Sequence, residues 1–239
     1  GFSGGGKGVV PGLSTLDTIM RNDSAGYLDD PQAVWGITDG NPLWMELREA
    51  AKMAEPLFLL NVALNRDKRI TAVFAGDIDK AHTEGCKYVR EHAMAPVDEP
   101  FDIVITGNSG YPLDLNMYQA VKGMSAAAQV TKPGGTIIVA ADCWDGIPAH
   151  GKYGQLLTSA QSTTELLELV RKPDFKEHDS WQAHLHALLC EKFDVHFYSD
   201  NLSDEQIESA FMKPCRNIRK VVEQIMEEAD GPVEICALP

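Results

Sequence analysis

Two stretches of this chain combine residue types in ways that could do chemistry. The first is Gly1 to Gly8, G-F-S-G-G-G-K-G, where four glycines precede Lys7. Residues without a Cβ let backbone N–H groups come close to an anion, and an ammonium adds a point charge. The second is the loop T-G-N-S-G-Y-P-L-D from Thr106 to Asp114, which leads into a helical pattern carrying Tyr118, Gln119 and Lys122. Gln119 and Lys122 are three apart and so share one helical face. An amide beside a cation suits a small carboxylate or hydroxy acid, and a solvated helix face is the plain alternative.

The first loop fits G-x-x-x-x-G-K, the front of a P-loop, but fails at the next position. A P-loop needs Ser or Thr there to hold Mg²⁺, and this chain has Gly8. No strand precedes the loop, and Pro11 sits poorly inside the helix that should follow. A structural turn and a phosphate or cofactor cradle both remain open. The chain begins in this loop without Met, so it is expected to be the C-terminal part of a longer protein.

Seven histidines occur, at 82, 92, 150, 178, 184, 186 and 196, and none are paired at H-x-x-x-H spacing. His184 and His186, two apart, would point to opposite sides of a helix. Trp181 opens the helical pattern W-Q-A-H-L-H-A-L-L, either as a core residue or as the wall of a pocket.

The elements that must position these groups are legible in outline. Helical spacing covers Leu13–Arg21, Asn41 or Pro42 to Met53, and Asp77–His92, with Asp77 or Asp79 as N-cap. Leu57–Leu64 and Ile70–Ala75 read as adjacent strands around a polar turn. Met94–Pro100, with two prolines and two acids, is the candidate linker, so domains are expected at 1–97 and 98–239. After it, strand and helix alternate. Phe101–Thr106, Thr136–Ala141, Val195–Tyr198 and Val233–Leu238 are the strands, and Asp114–Val130 is the first helix. Lys132-Pro133-Gly134-Gly135 reads as a turn, and Ser203-x-x-Gln206 as a capping box. The expected fold is α/β: the remainder of an N-terminal α/β domain, then an open, mostly parallel Rossmann-like sheet. Ligands of such sheets sit beyond the carboxyl ends of the strands, here the 107–114 and 142–151 loops; His150 is the histidine on that edge.

Among 239 residues, 44% are hydrophobic and 23% charged, the composition of an ordinary globular protein. A net charge of −14 argues against nucleic acid or an anionic membrane as partner, and no apolar run reaches the ~20 residues of a membrane span. Five cysteines lie scattered without C-x-x-C, as free thiols in a cytoplasmic protein would.

With these pieces assembled, the chain resembles the nickel-dependent lactate racemase family. The matching stretches are G-F-S-G-G-G-K at 1–7, P-G-L at 11–13, T-I-M-R-N at 18–22, G-N-P at 40–42, A-G-D at 75–77 with A-H at 81–82, and N-S-G-Y-P-L-D-L-N-M-Y-Q-A-V-K-G at 108–123. The resemblance implies racemisation or epimerisation of a small 2-hydroxy acid, with a nickel pincer nucleotide (a pyridinium mononucleotide bearing two thio-acid arms) as cofactor. In the family a hydride leaves the substrate α-carbon and returns from the opposite face, while two histidines exchange the hydroxyl proton. By position Lys7 looks like the covalent anchor of the cofactor, with Ser3, Gly4, Gly5 and Gly6 around it. Tyr118, Gln119, Lys122 and Trp181 look like the substrate-binding set. The proton-shuttling histidines would lie in an upstream half of the same protein, leaving this chain inactive alone. One position departs from the pattern: where the family carries a nickel-ligating His, this chain has Asp23. Imidazole suits nickel, whereas carboxylate favours harder ions. A non-catalytic carboxylate-binding or sensor homologue that has lost nickel is therefore the alternative. A Rossmann nucleotide-binding module is disfavoured, because G-x-G-x-x-G is missing after the strand at 101–106.

Overall fold

A computed structural model describes residues 4–55 and 58–238. Ser3 and Leu57, named above in the cofactor loop and a strand, lie outside them. The chain divides into two compact units, residues 1–96 and 97–239.

The first unit holds a 3-10 turn at Gly5–Gly8, α1 (Leu16–Asn22), α2 (Ala25–Leu28), α3 (Pro42–Met53), β1 (Leu59–Leu64), β2 (Ile70–Gly76) and α4 (Ile78–Ala93). Helix starts follow local chemistry. Asn41 accepts from the Trp44 N–H at 3.3 Å, and Pro42 occupies the first helical position. Asp77 accepts from the N–H groups of Asp79 and Lys80 at 3.1 and 3.0 Å. β1 and β2 form an antiparallel pair with Leu60 opposite Ala75 and Val62 opposite Val73. The Asn65 side chain closes their turn by accepting from Arg69 N–H at 3.0 Å.

The second unit runs β3 (Phe101–Thr106), α5 (Met117–Ala127), β4 (Thr131–Ala140), α6 (Tyr153–Thr158), α7 (Thr163–Val170), α8 (Ser180–Lys192), β5 (Asp194–Tyr198), α9 (Asp204–Glu208), β6 (Lys213–Pro214), α10 (Ile218–Glu228) and β7 (Ile235–Leu238). Its five strands are all parallel, in the order β6-β5-β4-β3-β7. The chain builds outward from β3 to β6, then returns to place β7 on the other side of β3. The loop after β3 therefore stands where the strand order reverses, the usual ligand crevice of an open α/β sheet. Helices α5 and α8, with α7 packed on α8, bury one face of the sheet around Val104, Met117, Val121, Met124, Ile137, Val139 and Phe197. Each such side chain contributes roughly 1.5–3 kcal/mol by leaving water. The opposite face, Ile103, Ile138 and Cys215, is covered by the apolar stripe Ile218, Val221, Val222 and Ile225 of α10.

Several expected boundaries shift; β7, for one, begins at Ile235, not Val233. α1 begins at Leu16, not Leu13, with Thr15 at its N-cap. α5 begins at Met117 rather than Asp114, because Asn116 is its N-cap and accepts from the Gln119 N–H at 3.1 Å. β4 begins at Thr131 and takes in the expected turn Lys132–Gly135. That stretch is a register irregularity between Phe101 and Ile103, with Gly134 at φ +75°. The capping box at Ser203 and Gln206 is present.

Candidate functional site

In the first unit the glycine loop is packed down onto its own fold. The Gly5 N–H donates to Asn61 Oδ1 on β1 at 3.0 Å. The N–H of Lys7 bonds Gly4 O at 3.1 Å, and those of Val9 and Val10 bond Gly6 O at 2.9 Å. These four amides are satisfied internally, so they do not form the open N–H cradle that the sequence pattern suggests. The glycines answer to packing instead. Gly5 has φ +56°, and a Cβ there would lie 2.5 Å from the His82 ring. A Cβ on Gly6 would lie 3.0 Å from Leu47 Cδ2. His82 is buried beneath the loop and stacks on Trp44 at 6.4 Å. Beside it a cavity of about 10 Å³, room for one water, is lined by residues including Gly6, Arg48 and Asp79. Arg48 grips Asp79 with two bonds of 2.7 and 2.9 Å, holding α3 to α4.

Lys7 is exposed at the end of this loop. Asp23, the C-cap of α1, lies within reach of its charge. Burial pushes the Asp23 carboxyl up to about 6, and the Lys7 ammonium pulls it partly back. Lys7 and Asp23 thus share one neighbourhood. Among the described residues no group of three or more His, Cys, Asp or Glu gathers to hold a metal without help from another group.

In the second unit the two loops at the sheet's carboxyl edge are zipped together. Asp114 O accepts from Cys143 N–H at 3.0 Å, and its Oδ2 from Asp142 N–H at 3.2 Å. Leu115 O accepts from Asp145 N–H at 3.0 Å, and Asn116 Nδ2 donates to Asp145 Oδ2 at 3.1 Å. Asn108 donates to Leu113 O and, at 3.0 Å, to Gln119 O. A Cβ on Gly123 would overlap Gly107 O, so only glycine lets α5 lie this close to the loop.

On that platform the four candidate substrate residues fall into two pairs. Lys122 Nζ donates to Gln119 Oε1 at 2.6 Å on the outer side of α5. Trp181 Nε1 donates to the Tyr118 hydroxyl at 3.1 Å. The Tyr118 ring meets Tyr153 edge-on at 5.3 Å, and Tyr153 bonds His186 Nδ1 at 2.7 Å. His186 Nε2 bonds Ala210 O at 2.7 Å. A carbonyl only accepts, so Nε2 carries the proton and Tyr153 donates to Nδ1. His184 and His186 are both fully buried, because α8 is covered on opposite sides. His150 is exposed on its loop. Sequence reasoning passed over Tyr153 and over Gln182, which donates to Tyr118 O at 2.7 Å; a polar residue among apolar helical neighbours was their only signal.

A sequence profile of the lactate racemase C-terminal domain matches residues 97–239. The chain belongs to the lactate racemase family. Within the family it is 36% identical to the lactate racemase of Thermoanaerobacterium thermosaccharolyticum over 240 aligned positions, and 35% identical to that of Lactiplantibacillus plantarum. Both alignments take in all of this chain and 56% of the relative, so the chain spans little more than half the length of these family members. The solved structure of the lactate racemase apoprotein from Thermoanaerobacterium thermosaccharolyticum superposes with a TM-score of 0.92 at 33% identity, over all of this chain and 57% of that one. A Thermotoga maritima protein, at 16% identity and TM-score 0.63, shares the fold alone.

Proposed function

We propose that this protein, together with an upstream half, is a racemase or epimerase of small 2-hydroxy acids that uses a nickel pincer nucleotide tethered to Lys7. Under this reading the first unit binds the cofactor and the second contacts the substrate. The observation that carries it is the Gln119–Lys122 pair beside the Trp181–Tyr118 pair, on the ligand edge of a chain in the lactate racemase family.

The residues fit the tethered group at the anchor. Lys7 presents an exposed amine able to act as nucleophile. At the metal position the donor is an oxygen. An Asp23 carboxyl titrating at about 6 is mostly ionised at pH 7 and can ligate a divalent ion. When bound, the cofactor supplies a hydride acceptor and donor for the substrate α-carbon. The chain's own contribution is positioning. Lys122 neutralises the substrate carboxylate, and the exposed Lys122–Gln119 bond that it exchanges for this contact is worth no more than about 1 kcal/mol. Gln119, released, orients the substrate by hydrogen bonding, and the aromatic pair Tyr118–Trp181 walls the pocket. Holding the α-carbon in a reactive geometry can supply much of the barrier reduction. The proton-exchanging histidines belong to the upstream half, so residues 1–239 alone are expected to show no racemase activity.

The test is production of the intact protein with the cofactor-making machinery, followed by mass analysis at Lys7 and assay of 2-hydroxy acid interconversion. An unmodified Lys7 with no interconversion overturns the reading. A second reading, a carboxylate-binding or sensor protein without nickel, is favoured by Asp23 alone. It predicts stabilisation by hydroxy acids in protein that carries no metal.

A further inference from the structure

We propose that Gln182 is a positioning residue for the hydroxy-acid face of α5. The proposal rests on the reading that Gln119 and Lys122 bind the substrate carboxylate. Tyr118 is held at both ends by consecutive residues of α8. Trp181 Nε1 bonds its hydroxyl at 3.1 Å, and Gln182 Nε2 bonds its backbone carbonyl at 2.7 Å. Gln182 is only 6% exposed, and its amide nitrogen is spent inside the fold. The bond it makes is unusual for its target. In an α-helix the carbonyl of residue 118 already faces the N–H of residue 122, so Gln182 takes its second lone pair. It therefore ties down the turn of α5 that carries Gln119 and Lys122.

The start of α8 is itself fixed. Asp179, 7% exposed, accepts from Lys152 N–H at 2.9 Å through Oδ2, and that oxygen occupies the space a Cβ on Gly151 would need. Together with the Asn116 cap, which accepts from Gln119 N–H at 3.1 Å, this sets the first turn of α5 from two directions. Asn116 fixes where the helix begins, and Gln182 fixes how that turn is seated against α8. Side chains at an outer helical face depend on such seating, since an error of about 1 Å at a reacting group can cost 100-fold in rate.

The experiment uses the intact protein and L-lactate as probe. Affinity is read by calorimetry, ligand-free tryptophan emission by fluorescence, and KM and kcat in the cofactor-loaded form. Gln182→Met keeps the length and removes the donor; Gln182→Glu, also without the amide donor, is the second variant if the first fails to fold. The expected result is lactate affinity weakened about tenfold, a raised KM with a smaller change in kcat, and a shift in tryptophan emission that is lost in a Trp181→Phe background, at a circular dichroism spectrum unchanged from the parent. Lys122→Ala is the control for the underlying reading. If Lys122→Ala weakens binding and the Gln182 variants do not, the positioning role is overturned while the site stands. If Lys122→Ala leaves binding unchanged, or the unaltered protein binds no lactate, the site reading fails and the proposal fails with it.

Discussion

Trp181 and Tyr118 are 63 residues apart in sequence, yet the indole N–H of one donates to the hydroxyl of the other at 3.1 Å. The bond joins α8 to the first turn of α5, and a part-buried neutral bond of this kind is worth about 1 kcal/mol. Tyr118→Phe and Trp181→Phe should each destabilise the protein, the second more because it also loses ring volume. The pair should be coupled in a double-mutant cycle by roughly 0.5–1.5 kcal/mol. Urea denaturation of the four proteins measures it, and strict additivity would show that the bond does not form.

His186 is completely buried between Tyr153 and Ala210, and burial pushes its imidazole down to about 4. In the unfolded chain it titrates near 6.5. Below that pH the unfolded state binds the extra proton first, so the stabilisation present above pH 6.5 is lost as pH falls toward 4. The full loss is on the order of 3 kcal/mol. Asp23 works in the opposite sense between its ordinary value and about 6, so the His186 effect is read as a difference between proteins. The stability gap between the parent and His186→Gln should widen as pH rises from 4 to 6.5 and then level off. A gap independent of pH would mean that His186 is not held neutral.

Gly5 and Gly8 stand three residues apart in the same loop and should differ sharply in their response to one added methyl. Gly5→Ala forces a Cβ onto the His82 ring at a positive φ, whereas Gly8 has nothing within 4 Å. Gly5→Ala should cost roughly 2 kcal/mol or more and, under the proposed function, lower the yield of modified Lys7, while Gly8→Ala should stay within about 0.5 kcal/mol. Thermal melts and intact-mass measurement give both readouts.

Under the proposed function, Asp23→His restores an imidazole donor beside Lys7. Nitrogen donors suit nickel better than a lone carboxylate, so nickel retained through gel filtration should rise several-fold in the substituted protein. Elemental analysis decides the point. Equal retention would mean that residue 23 does not ligate the metal. Lys7→Arg, which keeps the charge but not the nucleophile, should abolish mass addition in either background.

Much of the secondary structure was legible because it is decided within a few residues. Asn41, Asp77 and the Ser203–Gln206 box each satisfy the first N–H groups of their own helix, so a local pattern is sufficient. The parallel sheet was legible from continuous apolar runs alternating with helical spacing. The start of α5 was not. Asp114 and Leu115 look helical in isolation, but their carbonyls are taken by the amides of Cys143 and Asp145 from a loop about 30 residues away, and the helix waits for Asn116.

The site divides in the same way. The sequence by itself determined which residue types are available: a lysine at the end of a glycine run, an amide and a cation on one helical face, and a carboxylate at position 23. Only the tertiary structure decided their environments. It turned the glycine loop inward onto Asn61 and His82, brought Asp23 within reach of Lys7, and clamped Tyr118 between Trp181 and Gln182. Covalent order sets what lies three or four residues away. Burial, which shifts a carboxyl to about 6 or an imidazole to about 4, depends on everything packed around a group, and those neighbours come from distant parts of the chain.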